Sequence, residues 1–404
     1  MDINPIILAI PVYFILIGIE VLYDRLKNKK RYRLNDAITN ISCGITEQAT
    51  GVFVKVFTVA FYHFFFVNFA IFSVPETVFW TVVLFLGVDF FYYWAHRMSH
   101  EINLFWIGHI VHHQSEDYNF SVALRQGALQ KVFTSVFYIP LAVIGFKTEW
   151  FLFIGAFTTL YQFWIHTEMI DKLPRWFEYI FNTPSHHRVH HGRNEKYLDK
   201  NHAGTLIIWD RMFGTFQKEE EKPDYGVTSQ TATFDPIKAH IDPIKALWKN
   251  MNAFEKSTDK LRVLYKSPAW LAKQPQVDLP THPVEKYNST IGSDRGYYIL
   301  FQYAIILGIT AFFLFQFSTF EIVTQVSFLA FILFSVMAIG KLLDQSKTGS
   351  NLELLRLFVT LIFTLTVSVS SMFPTLLSSS IILLEMISLI WFFNFGISAK
   401  PVKY

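Results

Sequence analysis

The chain reads as an all-α polytopic membrane protein, about nine apolar helices with a cytosolic helical cap that carries a histidine-rich two-metal site. Three observations carry that reading. Hydrophobic residues make up 52% of the 404 positions and charged residues only 17%, where a soluble protein carries roughly a quarter charged. The apolar residues gather in runs approaching the ~20 residues that a helix needs to cross a bilayer core. Nearly every histidine falls in clusters with metal-ligand spacing at the ends of those runs, and only His63, His240 and His282 lie outside the ordered series.

The first run, 5–23, has no basic residue before it and a dense basic stretch, Arg25 to Arg33, after it. A cleavable signal has the opposite order, so this is a span that starts outside and ends in the cytosol. Runs 49–73 and 77–95 follow. Runs 132–146 and 150–165 are short and suit a hairpin that crosses partly or with little tilt. Runs 298–317, 322–340, 354–373 and 379–397 complete the count. Nine crossings put His96 and His166 at cytosolic span ends. They put the polar segment 171–296, the loop with Lys341 and Lys347, and the tail with Lys400 and Lys403 on the same side. The outer connections near 74–76, 318–321 and 374–378 carry no lysine or arginine, Lys147 being the exception, as the positive-inside bias requires. The division is 1–74 as N-terminal spans, 75–296 as a catalytic domain with its cap, and 297–404 as C-terminal spans.

Within 171–296, Asp235-Pro236 and Asp242-Pro243 each read as a helix start, with Asp as cap and Pro at the first position. Trp248, Trp270 and nearby lysines suit a surface against lipid head groups. A net charge of +3 gives no footprint for nucleic acid. The single cysteine, Cys43, excludes an intrachain disulfide and a thiolate metal site, and reads as a small apolar packer.

The histidines run His96-x-x-x-His100, His109-x-x-His112-His113, a lone His166, His186-His187-x-x-His190-His191, then His202. Positions i, i+3 and i+4 share one helix face. His96 and His100 therefore point one way, as do His109, His112 and His113, and again His187, His190 and His191. One ion takes three or four imidazoles, so two neighbouring ions is the economical count. His166 and His202 are single candidates to complete the shells. His186, about 100° round the helix from His187, suits local hydrogen bonding as well as ligation. His63 reads as structural, and His240 and His282 as surface residues. Asp89, two turns before His96 and inside a span, is expected to accept an imidazole N–H and orient that ring. Glu101, Glu116 and Asp117 flank the clusters. Arg97, Arg125, Arg188 and Arg193 stand ready to neutralise acids or hold a polar substrate group.

A histidine-dominated site with few carboxylates differs from the Glu-x-x-His bundle type, and a hydrolytic zinc site needs fewer ligands. Many neutral nitrogens around two irons suit oxygen activation and attack on an unactivated C–H bond. A site at the membrane face lets a lipid enter sideways.

The ordered clusters resemble the fatty acid hydroxylase/sterol desaturase superfamily of membrane di-iron oxygenases. The segments Trp94 to Glu101, Gly108 to Asn119, Ala123 to Gln126, Asn182 to Asn194 and His202 to Phe216 look like its pterin-dependent, alkylglycerol-cleaving branch. The likeness spans roughly 75–290. It implies His96, His100, His109, His112, His113, His187, His190 and His191 as iron ligands, with His166 and His202 also candidates. It implies Glu101 at an acidic position this branch needs, dioxygen as oxidant, and tetrahydrobiopterin as electron donor. The reaction implied is hydroxylation beside an ether oxygen, giving a hemiacetal that falls apart to an aldehyde and a glycerol derivative.

The alternative within enzymes is a sterol, carotenoid or fatty acyl hydroxylase or desaturase fed by a separate redox partner. Outside enzymes it is a metal transporter or sensor, which would place ligands near the bilayer midplane rather than at span ends. Lysine-, isoleucine- and phenylalanine-rich usage favours a bacterial inner membrane over the endoplasmic reticulum.

Overall fold

A computed structural model describes residues 5–229, 232–277, 285–369 and 375–396. His282, Lys400, Lys403 and the end of the eighth apolar run lie outside them. The described residues are helical, with no strand; two isolated bridges, Phe181 with Leu206 and Gly192 with Tyr225, are the sole β pairings among them. The chain divides into two compact units. One takes in Met1–Glu47, Gly51–Thr231 and His240–Lys286; the other takes in Gln48–Thr50, Ala232–Ala239 and Tyr287–Tyr404.

The first unit holds α1 (Pro5–Leu26), most of α2 (Leu34–Phe69), α3 (Val78–Glu101), α4 (Asn103–His113), α5 (Phe120–Ala123), α6 (Gln130–Thr134), α7 (Ile139–Ile144) and α8 (Thr148–Trp164). It continues with α9 (Arg175–Ile180), α10 (Pro184–His190), α11 (Ile208–Phe213), the greater part of α12 (Pro236–Asn252), α13 (Ser257–Tyr265) and α14 (Pro268–Leu271). The run 132–146 is not one helix. It breaks into α6, a 3-10 turn and α7, and ends at Gly145 with φ 113°, a left-handed cap that glycine takes without strain.

Helix α2 begins at Leu34, well before its apolar run. Asn35, Asp36, Thr39, Asn40, Thr46 and Glu47 recur at helical spacing and are buried. Asn40 donates to the Ser121 hydroxyl at 3.0 Å and accepts from Arg125 at 3.0 Å, so this polar stripe locates the chain that follows α4. The far half of α2 exposes Val56, Phe57, Phe64 and Val67, as a lipid-facing surface does.

Five helical segments are long and apolar enough to cross a membrane: Leu34–Phe69, Val78–Glu101, Ser293–Thr319, Ile322–Leu343 and Gly349–Thr366. Gln130–Ile144 and Ser378–Asn394 are shorter apolar stretches. The protein is a multi-pass membrane protein. A core of Tyr62, Leu84, Val88, Leu141, Phe146 and Ile154 locks α2, α3, α7 and α8 together. Glu20 of α1 accepts from the Phe120 N–H at 2.7 Å and from the hydroxyls of Tyr32 and Thr167, tying α1 to the residue after His166.

Asp235 caps α12 as its sequence suggests, its Oδ1 accepting the Ile237 N–H at 2.9 Å. Asp242-Pro243 does not start a second helix; Pro243 lies inside α12, where a residue without an N–H forgoes one ladder bond and the helix continues. Trp248 is exposed, whereas Trp270 packs on Leu247, Phe254, Val263 and Leu271 rather than facing outward. The second unit holds α15 (Ser293–Gln316), α16 (Ile322–Leu343), α17 (Gly349–Val369) and α18 (Thr375–Gly396).

Candidate metal centre

Three sharp changes of direction bring the histidines together. Helix α3 ends at Glu101, and the single extended residue Ile102 (φ −127°, ψ 117°) turns the chain into α4. His96 and His100 at the end of α3 thereby face His109, His112 and His113 on α4. His166 follows the C-cap of α8. Pro184 at the first position of α10 starts the short helix that presents His187, His190 and His191.

Nine imidazoles form two sets. His96, His100, His109, His113 and His190 make the first, and His112, His166, His187 and His191 the second. Within each set one ring nitrogen per residue lies within 4.8 Å of all the others. All nine are buried. The sets adjoin: the rings of His113 and His191 stack at 4.4 Å between centroids, and the ring of His112 lies 5.4 Å from that of His113.

The outer ring nitrogens reveal how the rings are held. His96 Nδ1 lies 2.7 Å from the His202 carbonyl, His112 Nδ1 2.7 Å from that of Arg125, His166 Nδ1 2.7 Å from that of Gln162, and His190 Nδ1 2.9 Å from that of Lys200. A carbonyl only accepts, so each Nδ1 carries the proton and each Nε2 carries a lone pair turned inward. Burial holds the imidazoles of His109, His113, His166, His187, His190 and His191 well below the ordinary histidine value, and brings His112 down to about 4. These rings are neutral at pH 7, the form that ligates.

The inward atoms fit a metal. His112 Nε2 and His166 Nε2 are 3.2 Å apart. With both Nδ1 atoms protonated, neither can donate to the other. His187 Nε2 lies 3.0 Å from His166 Nε2, and His109 Nε2 lies 2.9 Å from His96 Nε2 and 3.1 Å from His113 Nε2. The Nε2 atoms of His100, His190 and His191 have no hydrogen-bond partner among the described residues. Buried lone pairs gathered this closely are stable around shared cations. An all-imidazole donor set suits the transition metals that nitrogen favours.

The tenth candidate, His202, is buried against the first set, its ring 5.0 Å from His100 and 5.8 Å from His96, but its nitrogens fall outside both groupings. His186 points elsewhere, its ring edge-on to Phe216 at 5.4 Å, and burial pushes it down to about 3. His63 bonds the Thr148 side chain at 3.0 Å. His240 is half-buried rather than exposed.

Asp89 does not orient a histidine directly, contrary to the expectation from its spacing. Its Oδ1 accepts the Thr205 N–H at 2.8 Å, and its Oδ2 accepts the Leu206 N–H at 3.0 Å and the Trp209 indole N–H at 2.9 Å. Two helical turns put it on the face of His96, but the loop 202–209 closes over that face and supplies N–H donors first. Glu101 pairs with Arg97 at 2.8 Å, and Arg97 also donates to the Tyr93 hydroxyl at 3.1 Å. Arg125 turns inward, donating to the Val111 carbonyl at 2.6 Å and to Gln114 at 2.8 Å. Arg188 pairs with Glu219 at 2.7 Å, Arg193 with Asp224 at 2.7 Å, and Asp117 with Arg33 and Lys286.

Two groups had no signal in the sequence. Asp210 is buried and accepts the backbone N–H of His202 and of Ala203, each at 2.8 Å. Asp199 and Asn201, both at φ 54°, bracket Lys200 in a left-handed turn that aims the Lys200 and His202 carbonyls at two rings of the first set. Asn201 is clamped there, donating to the carbonyls of His186 at 3.0 Å and Gln217 at 2.7 Å.

The sequence model of the fatty acid hydroxylase family matches residues 81–215, a stretch that contains every ring of both sets. The alkylglycerol monooxygenase of Homo sapiens is 41% identical over 341 residues, which is 82% of this chain and 76% of that protein. The alkylglycerol monooxygenase of Xenopus tropicalis is 38% identical over 85% of this chain and 78% of its own length. An ornithine lipid hydroxylase of Rhizobium tropici is 30% identical over 36% of this chain and 44% of its own. No solved structure matches. Likeness of this extent, centred on the converging histidines, makes the chain a member of the alkylglycerol monooxygenase family and a membrane-bound lipid monooxygenase.

Proposed function

We propose that the protein is a di-iron monooxygenase that uses dioxygen to hydroxylate the ether-bearing carbon of an alkylglycerol-type lipid, with tetrahydrobiopterin as electron donor. The observation that carries this reading is the convergence of two adjoining all-imidazole sets. The first set would hold one iron and the second the other, with His202 in reserve beside the first. Two bound irons supply the redox capacity for activating dioxygen toward an unactivated C–H bond.

The chain's own contribution is positional. Carbonyls of Gln162, Lys200, His202 and Arg125 fix four rings with their lone pairs inward, which also raises their basicity toward a metal. Burial keeps water from competing for those lone pairs. Asp89 and Glu101 act at one remove, Asp89 by pinning the loop over the site and Glu101 by holding Arg97. The net reaction takes one dioxygen, two electrons and two protons, places one oxygen in the C–H bond and releases the other as water. The hydroxylated ether carbon is a hemiacetal, which separates into an aldehyde and a glycerol derivative.

The positive-inside bias supports a cytosolic site, with 75–296 as the catalytic domain and its cap, and with 1–74 and 297–404 as flanking spans. The test is purified protein assayed with a 1-O-alkylglycerol, dioxygen and tetrahydrobiopterin, with metal content measured in parallel. Two irons per chain and a long-chain aldehyde are expected. Zinc in place of iron in an active preparation, or turnover of an acyl lipid but no ether lipid, overturns the reading. Turnover supported by a cytochrome or ferredoxin but not by the pterin removes the donor assignment.

A further inference from the structure

The C-terminal unit has an acidic interior that the iron reading leaves unused. On α17, Glu353, Arg356, Thr360 and Thr364 recur at i, i+3, i+7 and i+11, and all are fully buried. Glu353 and Arg356 neutralise each other, with Nε–Oε2 at 2.8 Å and Nη2–Oε1 at 2.9 Å. Tyr298 of α15 donates to Glu353 at 2.6 Å, and Gln302 accepts from Arg356 at 2.5 Å. Within that part of the stripe only the Gln302 Nε2 amide has no partner among the described residues.

Glu385 of α18 is different. It is fully buried, and neither carboxylate oxygen has a partner among the described residues. The hydroxyls of Thr310 on α15, Ser335 on α16 and Thr364 on α17 are likewise buried and without a partner among them. Each of the four helices therefore buries at least one oxygen without a hydrogen-bond partner among the described residues. Two carboxylates, Glu353 and Glu385, share the single positive charge of Arg356, so the buried charges sum to one negative in excess. In a lipid-embedded bundle a surplus negative charge is costly, and ionisable groups there are paired or mark a ligand. Oxygen donors select a hard cation. No histidine or cysteine occurs between Ser293 and Gly396 to attract a softer one. One surplus negative charge matches one positive charge.

We propose that the bundle α15–α18 binds a monovalent metal cation, sodium or potassium, at the Glu385 carboxylate, with buried hydroxyls of the bundle as neutral oxygen donors. The site is independent of the iron centre and stands or falls without it.

The test is thermal unfolding of the purified full chain. Sodium or potassium chloride replaces choline chloride stepwise at constant ionic strength. One of the two metal ions is expected to raise the midpoint saturably by about 2–4 °C, with no effect of choline. In Glu385→Gln the dependence disappears while iron content stays at the wild-type level. Wild type without an ion-specific rise, or the same rise in Glu385→Gln, overturns the proposal and leaves Glu385 a neutral packing group. If Glu385→Gln does not accumulate, Glu385→Asp decides. Its half-saturating concentration should rise at least several-fold, and an unchanged value also overturns the site.

Discussion

His96 and His202, 106 positions apart, meet through the backbone of the second: the His96 Nδ1–H donates to the His202 carbonyl at 2.7 Å. The His202 peptide is held in turn by Asp210, whose two oxygens accept the N–H groups of His202 and Ala203. A carboxylate that touches no ring of either set thus fixes the orientation of one.

Asp210→Asn replaces one of those acceptors with an amide that opposes a backbone N–H. The loop should loosen and His96 with it. Metal affinity is expected to fall ~10–100-fold, read as metal per chain in purified protein, with helix content by circular dichroism unchanged.

His112→Ala and His190→Ala each remove one imidazole, from the second and first sets respectively. Each should lower bound metal and abolish lipid turnover while the protein still inserts into membranes. Full turnover in a variant stripped of metal would refute the role of these rings.

Asp89 receives three N–H donors, so Asp89→Asn does more than change a charge. The amide faces at least one donor with another donor, and a buried unsatisfied group costs ~1–3 kcal/mol. Thermal stability and metal occupancy should therefore drop together. Loss of metal with no loss of stability would return Asp89 to a direct role at the rings.

Gly127→Ala tests the seat of α4. A Cβ at Gly127 would stand 1.8 Å from the Gly108 carbonyl oxygen, so the backbone next to His109 must move. A loss of ~1–3 kcal/mol or more is expected, with weaker metal binding by both sets, because α4 contributes to both. Wild-type melting would show that the loop yields instead.

Chelation of the wild-type protein should lower its unfolding temperature. Without a cation, the Nε2 lone pairs of His112 and His166 crowd at 3.2 Å with no proton between them. A metal that binds only the folded form adds its binding energy to stability. Identical melting with and without metal would mean that the rings relax freely.

The spacing of the histidines was legible because ligation depends on residue type and helix periodicity, both written in the chain. Nine of the ten expected rings converge, and His186, whose angle on α10 left both roles open, stands aside. The acceptors that lock those rings were invisible. Arg125, Gln162, Lys200 and His202 act through carbonyls that every residue possesses, so no residue type marks them. Asp89 misled for a related reason. Periodicity gives the face of a helix, not which neighbour reaches that face first. The apolar runs located the long helices, but α2 begins at Leu34 because a buried polar stripe extends it, and hydropathy does not register such a stripe.

Asp199 and Asn201 hold a left-handed conformation that non-glycine residues adopt at a cost. A shape like that survives only where its surroundings enforce it. Once metal is removed, the amides around Lys200 should be among the first to exchange with solvent deuterium. The same bend would then report, from outside the protein, whether a molecule has been loaded with metal or is still waiting for it.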